Sequence, residues 1–257
     1  MLSIENLQFG YDKNYNVLEN VSLNVGKGEL FGIFGPNGTG KSTLFKCIIG
    51  FLKPKKGSIY INDTDLLNLP TEEIAKLISY VPQEHKPPFP YLVKDIVLMG
   101  RTPHLGGVFG PGENDLKKAS EALSTIGVEH LANRPYTDLS GGQRQLVLLA
   151  RALSQETKIM ILDEPTSALD FKNQVKIWNI LKKLTQKGIS VIVSVHDPNH
   201  MLWYCDNIAI LNKGKILATG KPEKILTENI LNELYGEICD IKEYGDLKFV
   251  IPKIIFD

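Results

Sequence analysis

The sequence of 257 residues lacks several features that mark secreted, membrane-embedded or nucleic-acid-binding proteins. Its three cysteines, Cys47, Cys205 and Cys239, are scattered without CxxC spacing, which favours reduced thiols over a disulfide framework or a metal site. No apolar run approaches the roughly 20 residues of a membrane span. The N-terminus has neither a basic segment nor a long apolar stretch, so we expect no signal peptide.

The charge balance and the absence of internal repeats also limit the possible functions. Lys+Arg and Asp+Glu number 29 each, so the net charge gives no support for a nucleic-acid partner, and we expect none. There is no internal repeat and only one phosphate-loop pattern, which predicts one nucleotide site per chain. The length suits one large α/β domain with inserts, and hydrophobic residues make up 43%, enough for an ordinary globular core.

The strongest signal is a glycine-rich turn between a strand and a helix. Leu30–Phe34 is a continuous apolar run that predicts a buried strand, and the segment from Lys41 to Gly50 predicts a helix ended by glycine. The turn matches the phosphate-loop pattern G-x-x-x-x-G-K-[ST], and we assign Thr43 after it to the same site. The pattern consists of Gly35, Pro36, Asn37, Gly38, Thr39, Gly40, Lys41 and Ser42. We predict that its N–H groups and Lys41 bind the phosphates of a nucleoside triphosphate, and that Ser42 ligates Mg²⁺.

The remaining patterns predict an α/β fold. Residues 1–30 alternate polar and apolar, as antiparallel strands do, while residues from about 88 to 150 are helical in pattern and predict an all-helical insert. Buried strands are predicted at Ile159–Leu162 and Ile189–Val195, with a helix at Val175–Leu184 between them. This alternation predicts a parallel sheet with active groups at the carboxyl ends of its strands.

The strand at Ile159–Leu162 ends in two carboxylates. Asp163 suits a contact to Mg²⁺, a hard cation that prefers oxygen ligands. Glu164 suits the role of orienting and deprotonating an attacking water. Paired acids are also common as solvated turn residues, but a phosphate loop upstream favours the catalytic interpretation.

A second helix start, Ser140-Gly141-Gly142-Gln143, follows Leu139. Ser140 is a natural N-cap, and the paired glycines make sense if the backbone must approach something closely. The start therefore predicts a second anion-binding site, although the phosphate loop already binds its own nucleotide. The alternative is a simple turn with an N-cap.

Together these motifs resemble the ATP-binding-cassette (ABC) ATPases. They occur in the order of that family: the Walker A loop Gly35–Ser42, Gln83 after a strand, LSGGQ at 139–143, Walker B at Ile159–Glu164, Ser167-Ala168-Leu169-Asp170, and His196 after a third strand. The resemblance covers essentially residues 1–225. It implies an ABC-type nucleotide-binding domain: a P-loop NTPase (RecA-like) core with an antiparallel β subdomain and an α-helical insert.

The resemblance also implies roles and partners. Two copies would sandwich two ATPs head to tail, with Ser140–Gln143 of one copy on the γ-phosphate held by the other. Tyr11 would stack on adenine, Gln83 would touch Mg²⁺ or the attacking water, Asp170 would bridge the subunits, and His196 would hydrogen-bond the γ-phosphate. The expected cofactors are ATP and Mg²⁺. His85, His104, His130 and His200 are expected to be surface or structural residues.

A narrower resemblance lies in Val81–Gly106, which contains Phe89, Arg101 and Pro103-His104-Leu105-Gly106. It looks like the ATPase subunits of metal-chelate importers, which serve iron–siderophore, haem and cobalamin uptake, and of related molybdate systems; His196-Asp197-Pro198-Asn199-His200 fits the same branch. In that family the permease docks on this segment. The sequence departs from the pattern of that branch at Val195, the position before His196, where many relatives carry Thr. Apart from the resemblance, the stretch is a helical insert with a proline-rich loop.

The expected function is an importer ATPase at the cytoplasmic face of the membrane. It would be bound there through permease subunits and served by an extracytoplasmic binding protein. The expected domains are residues 1–235, with the helical subdomain at about 88–150, and a short extension at 236–257. Alternatives are a molybdate or tungstate importer, an exporter cassette, and a soluble non-transport ATPase such as an iron–sulfur assembly factor. The LSGGQ motif disfavours a P-loop kinase or GTPase.

Overall fold

The computed structural model describes residues 1–12, 14–83, 89–105, 110–167, 169–245 and 247–253. Its strands are β1 (Leu2–Phe9), β2 (Leu18–Val25), β3 (Leu30–Phe34), β4 (Lys56–Ile61), β5 (Thr64–Asp65), β6 (Ile78–Val81), β7 (Ile159–Asp163), β8 (Ser190–Val195), β9 (Asn207–Asn212), β10 (Lys215–Gly220), β11 (Cys239–Tyr244) and β12 (Leu247–Pro252). Its α-helices are α1 (Lys41–Ile48), α2 (Thr71–Leu77), α3 (Val93–Leu98), α4 (Glu113–Ile126), α5 (Gly141–Ser154), α6 (Phe171–Gln186), α7 (Pro198–Tyr204), α8 (Pro222–Ile225) and α9 (Glu228–Tyr235).

A sheet with the strand order β10-β9-β3-β8-β7-β6 forms the centre of the fold. All its pairings are parallel except that of β10 with β9. Every residue of β3, β7 and β8 is buried, because helices and the second sheet cover both faces. The three buried strands predicted from apolar runs are therefore the central neighbours of one sheet. Their carboxyl ends meet at one edge, where ligands bind in open α/β sheets.

A second sheet, of order β2-β1-β4-β5, is antiparallel. Leu2, Ile4 and Leu7 of β1 point into a core shared with Leu44 and Phe45 of α1. The antiparallel sheet thereby covers the helix that follows the glycine-rich turn. The antiparallel strands that period-two alternation predicted in residues 1–30 are confirmed by the pairing of β1 with β2.

Helices α3, α4 and α5 pack together through a second core that includes Val97, Leu123 and Leu149. Arg101, in a 3₁₀ turn after α3, is buried and ties these helices together. Its Nε donates to Asp115 Oδ1 at 3.0 Å, and Nη1 donates to the Ser154 carbonyl at 2.7 Å and to Glu156 Oε2 at 2.8 Å. Arg101 is therefore a structural residue. The domain limits at about 88–150 and at 235 stay predictions.

The C-terminal residues form α8, α9 and a hairpin of β11 with β12. The hairpin is fixed to α7: Asn199 exchanges two hydrogen bonds with the Val250 backbone, at 3.0 and 2.8 Å, and Trp203 Nε1 donates to the Lys248 carbonyl at 3.1 Å. The sequence patterns did not assign these elements. Within the described ranges, no helix is both long enough and apolar enough to cross a membrane.

Candidate active site

The glycine-rich turn connects the end of β3 to the start of α1. Gly35 has φ +157°, and a β-carbon there would collide with the Leu211 carbonyl, so this position requires glycine. The N-cap of α1, Gly40, offers no side-chain cap, so the first amides of the helix are left for another acceptor. An anion fits this position because it satisfies those amides and the helix dipole together.

Lys41 lies under the turn and is only 5% exposed. Its Nζ donates to the carbonyl oxygens of Gly35 at 2.7 Å and Pro36 at 2.9 Å. Burial lowers the pKa of Lys41, while the nearby carboxylates of Glu164 and Asp163 oppose that shift. The ammonium group is thus held where phosphates would pass over the turn, with negative groups beside it.

Asp163, at the end of β7, is buried and held from two sides. Its Oδ1 accepts a hydrogen bond from Ser194 Oγ at 2.6 Å, and its Oδ2 accepts one from the Tyr80 hydroxyl at 3.4 Å. Burial and the Asp163 carboxylate raise the pKa of Tyr80, so that hydroxyl keeps its proton and donates it. Ser194 Oγ also accepts from the Glu164 N–H at 2.9 Å, so one hydroxyl positions both acids.

Glu164 is held on both of its oxygens. Gln83 Nε2 donates to Oε2 at 2.7 Å, and His196 Nε2 lies 2.5 Å from Oε1. His196 Nδ1 in turn lies 3.5 Å from Lys41 Nζ. The backbone of Glu164 has φ +49°, a strained conformation for a residue other than glycine, which turns its side chain out of the strand toward the site. Lys41, His196, Glu164 and Gln83 therefore form one chain of contacts.

The donor set fits Mg²⁺. Asp163 is a pre-oriented carboxylate, and Ser42 in the first turn of α1 and Gln83 after β6 carry neutral oxygens that could join it as ligands. The described residues contain no group of three or more His, Cys, Asp or Glu side chains that could hold a metal by themselves. Such a sparse oxygen set suits Mg²⁺, which keeps water and takes substrate phosphates as its other ligands.

Tyr11 and Asp170 were also predicted to contact the nucleotide or the second subunit. Tyr11 is 66% exposed, its ring stands edge-on to Phe9, and its hydroxyl lies 3.4 Å from Thr43 Oγ1. Asp170 is exposed, and its Oδ1 accepts from the Asn173 N–H at 2.8 Å as the N-cap of α6. An aromatic ring is thus free beside the turn, while the Asp170 carboxylate is already used within its own chain.

Ser140–Gln143 lies at the start of α5 and contributes none of the hydrogen bonds just described. Ser140 Oγ accepts from the Gln143 N–H at 3.3 Å, and Gln143 Oε1 accepts from the Ser140 N–H at 3.0 Å, which confirms Ser140 as the N-cap. A β-carbon on Gly142 would lie 2.7 Å from Asn173 Nδ2, so close packing of α6 explains that glycine. A β-carbon on Gly141 would meet nothing within 4 Å. Packing within the chain therefore explains only one of the two glycines.

The histidines outside the predicted site have varied positions. His200 lines a cavity of about 220 Å³ with Glu164 and His196, it packs against Trp178, and burial lowers its pKa. His104 Nε2 lies 2.8 Å from the Gln155 carbonyl, and His130 is exposed. His85 lies outside the described residues, as do the rest of residues 84–88, Gly106 and Ala168.

A mainly apolar groove of about 440 Å³ lies between the segments that follow α1 and α3, beside α2 and β6, with Arg151 and Gln155 as polar lining residues. Its rim exposes two large side chains, Phe51 at 65% and Met99 at 42%. Its lining also includes Ile49, Ile74, Ile78, Tyr80, Pro82 and Pro103. Large exposed apolar side chains around a groove mark an interaction surface.

The family model described as ABC transporter matches residues 18–167, more than half of the chain. The chain belongs to the ABC transporter family. It is an ATP-binding subunit with ATPase activity, and the predicted P-loop NTPase fold of the ABC cassette type is confirmed.

Two curated relatives and one solved structure illustrate which part of the ABC transporter family is similar. A Helicobacter pylori protein named "Probable iron chelatin transport ATP-binding protein" is 39% identical, covering 91% of this chain and 92% of the relative. The molybdate import ATP-binding protein MolC of Haemophilus influenzae is 38% identical over 91% of this chain and 87% of its own length. A structure described as an inward-facing metal-chelate type ABC transporter superposes with a TM-score of 0.86 at 35% identity, covering 98% of this chain and 97% of the other.

Sequence reasoning missed Ser194 and Tyr80. Ser194 is one of two serines in the otherwise apolar strand SVIVSV, and Tyr80 precedes Gln83 by three positions. The only available signal was a hydroxyl group in an otherwise apolar strand near a predicted carboxylate site.

Proposed function

We propose that this ATPase powers import of a metal chelate through a separate membrane permease, working as a head-to-tail dimer around two ATP molecules. The observation that supports the dimer is the start of α5: Gly141 is exposed, and no described residue lies within 4 Å of the position of its β-carbon. A glycine start left open in this way allows the backbone of one copy to approach a phosphate held by another.

The proposed binding step uses the first turn of α1. The amides after Gly40 and the Lys41 ammonium bind the β- and γ-phosphates, while Tyr11 stacks on the adenine. Lys41 exchanges the carbonyls of Gly35 and Pro36 for phosphate oxygens. Mg²⁺, held by Ser42, Asp163 and Gln83, neutralises phosphate charge when it is bound.

The proposed hydrolysis step uses Glu164 as the general base. A water attacks the γ-phosphorus, its proton passes to Glu164, and the bond from the γ-phosphorus to the bridging oxygen of ADP breaks. Each carboxylate oxygen of Glu164 already has one partner, Gln83 or His196, and its remaining lone pairs can accept the attacking water. His196 then donates to the γ-phosphate, and Ser140 of the second copy approaches the same group. Closure by ATP thus exchanges contacts within one chain for contacts to the nucleotide.

The groove between the segments that follow α1 and α3 is the proposed docking surface for the permease, which would hold the ATPase at the cytoplasmic face of the membrane. Phe51 and Met99 expose apolar area there that water disfavours, and a short permease helix would cover it. An extracytoplasmic binding protein would deliver the cargo to the permease.

Iron chelate is the preferred cargo class, because the H. pylori relative is named for iron chelatin transport and the superposed transporter is of the metal-chelate type. Molybdate is the second candidate, favoured by the similarity to the H. influenzae molybdate import protein. Uptake of radiolabelled iron chelate and of molybdate by cells with and without this chain separates the two.

The experiment that tests the proposal is an affinity pull-down of tagged protein from detergent-solubilised membranes. We expect a polytopic membrane protein to be recovered with the native chain and lost with Met99→Glu, which places a charge in the groove. Tyr244→Glu is the matched control, since Tyr244 is 80% exposed on the C-terminal hairpin, outside the groove. Recovery of only non-membrane assembly factors would overturn the transport proposal and leave the ATPase chemistry standing.

A further inference from the structure

Tyr80 lies between the apolar groove and the acid proposed to ligate Mg²⁺. It belongs to β6, the edge strand of the parallel sheet, next to β7. It lines the groove together with Ile49, Phe51 and Met99. Its hydroxyl donates to Asp163 Oδ2 at 3.4 Å. One rigid side chain therefore contacts both the outer surface and the carboxylate.

The two oxygens of Asp163 have different surroundings. Oδ1 is bound at 2.6 Å by Ser194, which is fully buried inside the sheet. Oδ2 is bound at the longer distance of 3.4 Å by Tyr80, which is half-buried and reaches the surface. The Ser194 contact is fixed by the core, whereas a small tilt of the Tyr80 ring would shorten or break the other contact.

We propose that Tyr80 is a positioning residue that transmits occupation of the groove to Asp163. This inference rests on the proposed function, since it takes the groove as the docking surface and Asp163 as a ligand of Mg²⁺. A side chain pressed into the groove against the Tyr80 ring shifts its hydroxyl, and the shift changes the orientation of the Asp163 carboxylate.

This route differs from the one through Gln83. Gln83 leaves the same strand end but bonds to Glu164, the proposed base. Tyr80 bonds to the metal-binding acid. The end of β6 thus contacts both acids through separate side chains. Tyr80 is therefore the residue that joins the groove to Asp163 directly, without Gln83 or Glu164 between them.

The first test is Tyr80→Phe in the full chain, with the Mg²⁺ concentration for half-maximal ATP hydrolysis as the readout. We expect it to rise roughly tenfold, as loss of an outer partner of a metal ligand does. ATP affinity without Mg²⁺ and the thermal midpoint should stay near the native values, since the phenyl ring keeps its packing. Tyr60→Phe, the same change at a half-buried tyrosine of β4 in the antiparallel sheet, should leave the Mg²⁺ requirement unchanged.

The second test fills the groove directly. Phe51→Cys in a Cys239→Ser background gives one accessible thiol for a bulky maleimide, because Cys47 and Cys205 are buried and burial raises the pKa of both thiols, to about 12 for Cys47. We expect the label to shift the Mg²⁺ requirement of this protein several-fold, and to leave that of its Tyr80→Phe derivative unchanged.

Ser194→Ala is the matched comparison, because it removes the other partner of Asp163 without touching the groove. It should raise the Mg²⁺ requirement, but the groove label should still shift it further. An equal response to the label with and without the Tyr80 hydroxyl, or an unchanged Mg²⁺ requirement in Tyr80→Phe, would overturn the inference. Absence of Mg²⁺-dependent turnover in the native chain, or a failed pull-down, would instead overturn the proposed function beneath it.

Discussion

The starts of α1 and α5 are both glycine-rich, yet they satisfy their backbone groups in different ways. At α1 the N-cap is Gly40, no side chain caps the helix, and the buried Lys41 adds a positive charge. At α5 Ser140 and Gln143 cap each other, and the start is exposed. No side chain caps the first start, whereas at the second the capping box satisfies the N–H groups of Ser140 and Gln143 without a ligand.

The difference explains why one start can bind a nucleotide alone and the other cannot. An anion at α1 gains several unpaired N–H groups and a charge in a partly buried site. An anion at α5 would gain only the helix dipole and the few donors that the capping box leaves. The α5 start is therefore expected to contact a phosphate only when that phosphate is already bound by another copy of the chain. We expect changes at α1 to weaken ATP binding by a single copy, and changes at α5 to leave that binding unchanged and to weaken association of two copies.

Glu164→Gln gives the largest expected effect. Turnover should fall roughly a thousandfold, because the amide cannot take the proton of the attacking water. ATP should still bind at α1, and the stalled protein should accumulate as a dimer with Mg²⁺ and ATP. Light scattering and turnover measurements check this, with the exposed Glu72→Gln as the control that should behave as native. Only monomers in the presence of Mg²⁺ and ATP would contradict the sandwich.

Lys41→Ala should weaken ATP binding roughly a hundredfold, because it removes a charge-assisted contact from a partly buried site. Titration calorimetry without Mg²⁺ measures the dissociation constant. Lys46→Ala, at an exposed position of the same helix, is the matched control. Unchanged affinity in Lys41→Ala would show that α1 does not hold the phosphates as proposed.

Gly141→Glu should weaken dimer formation of the Glu164→Gln protein roughly tenfold or more, because it brings a carboxylate toward the γ-phosphate. A glutamate in the first turn favours the helix and meets open space, so the thermal midpoint should not fall. Gly141→Gln is the control that separates charge from size. ATP affinity of the monomer should stay native in both, and weaker monomer binding would show that α5 already contributes within one chain.

Ser140→Ala should have the smallest effect, a loss of about 1 kcal/mol in the free energy of unfolding from the lost cap. Thr227→Ala removes the corresponding cap of α9 and should cost a similar amount. Denaturant unfolding measures both. Only Ser140→Ala should also weaken dimer formation, so equal effects on association would contradict a role for Ser140 beyond capping.

The sequence predicted well the strands and helices that consist of an uninterrupted apolar run or show a clear apolar periodicity. The central strands β3, β7 and β8 are uninterrupted apolar runs, and β1 and β2 alternate clearly. The helix predicted at Val175–Leu184 extends over Phe171–Gln186, because the Asp170 cap starts it one turn before its apolar stripe begins. Elements α8, α9 and the final hairpin were not assigned, since contacts such as that of Asn199 with Val250 fix them.

The sequence motifs predicted which residues form the candidate site, but not all of the hydrogen bonds that hold them in place. The turn Gly35–Ser42, the two acids, Gln83 and His196 lie together as the order of strand ends implied. Their catalytic roles stay predictions. The hydroxyls of Ser194 and Tyr80 bond to Asp163 through pairings between strands far apart in sequence, which no local pattern encodes.

Mixing two defective variants tests most directly the claim that the starts of α1 and α5 complete each other across two chains. Lys41→Ala and Gly141→Glu, each in a Glu164→Gln background, should remain monomeric alone with Mg²⁺ and ATP. A head-to-tail pair of the two keeps one intact site, so native mass spectrometry of the mixture should show a species of twice the 28.7 kDa chain mass with one ATP retained. A mixture that contains only monomers would contradict the claim.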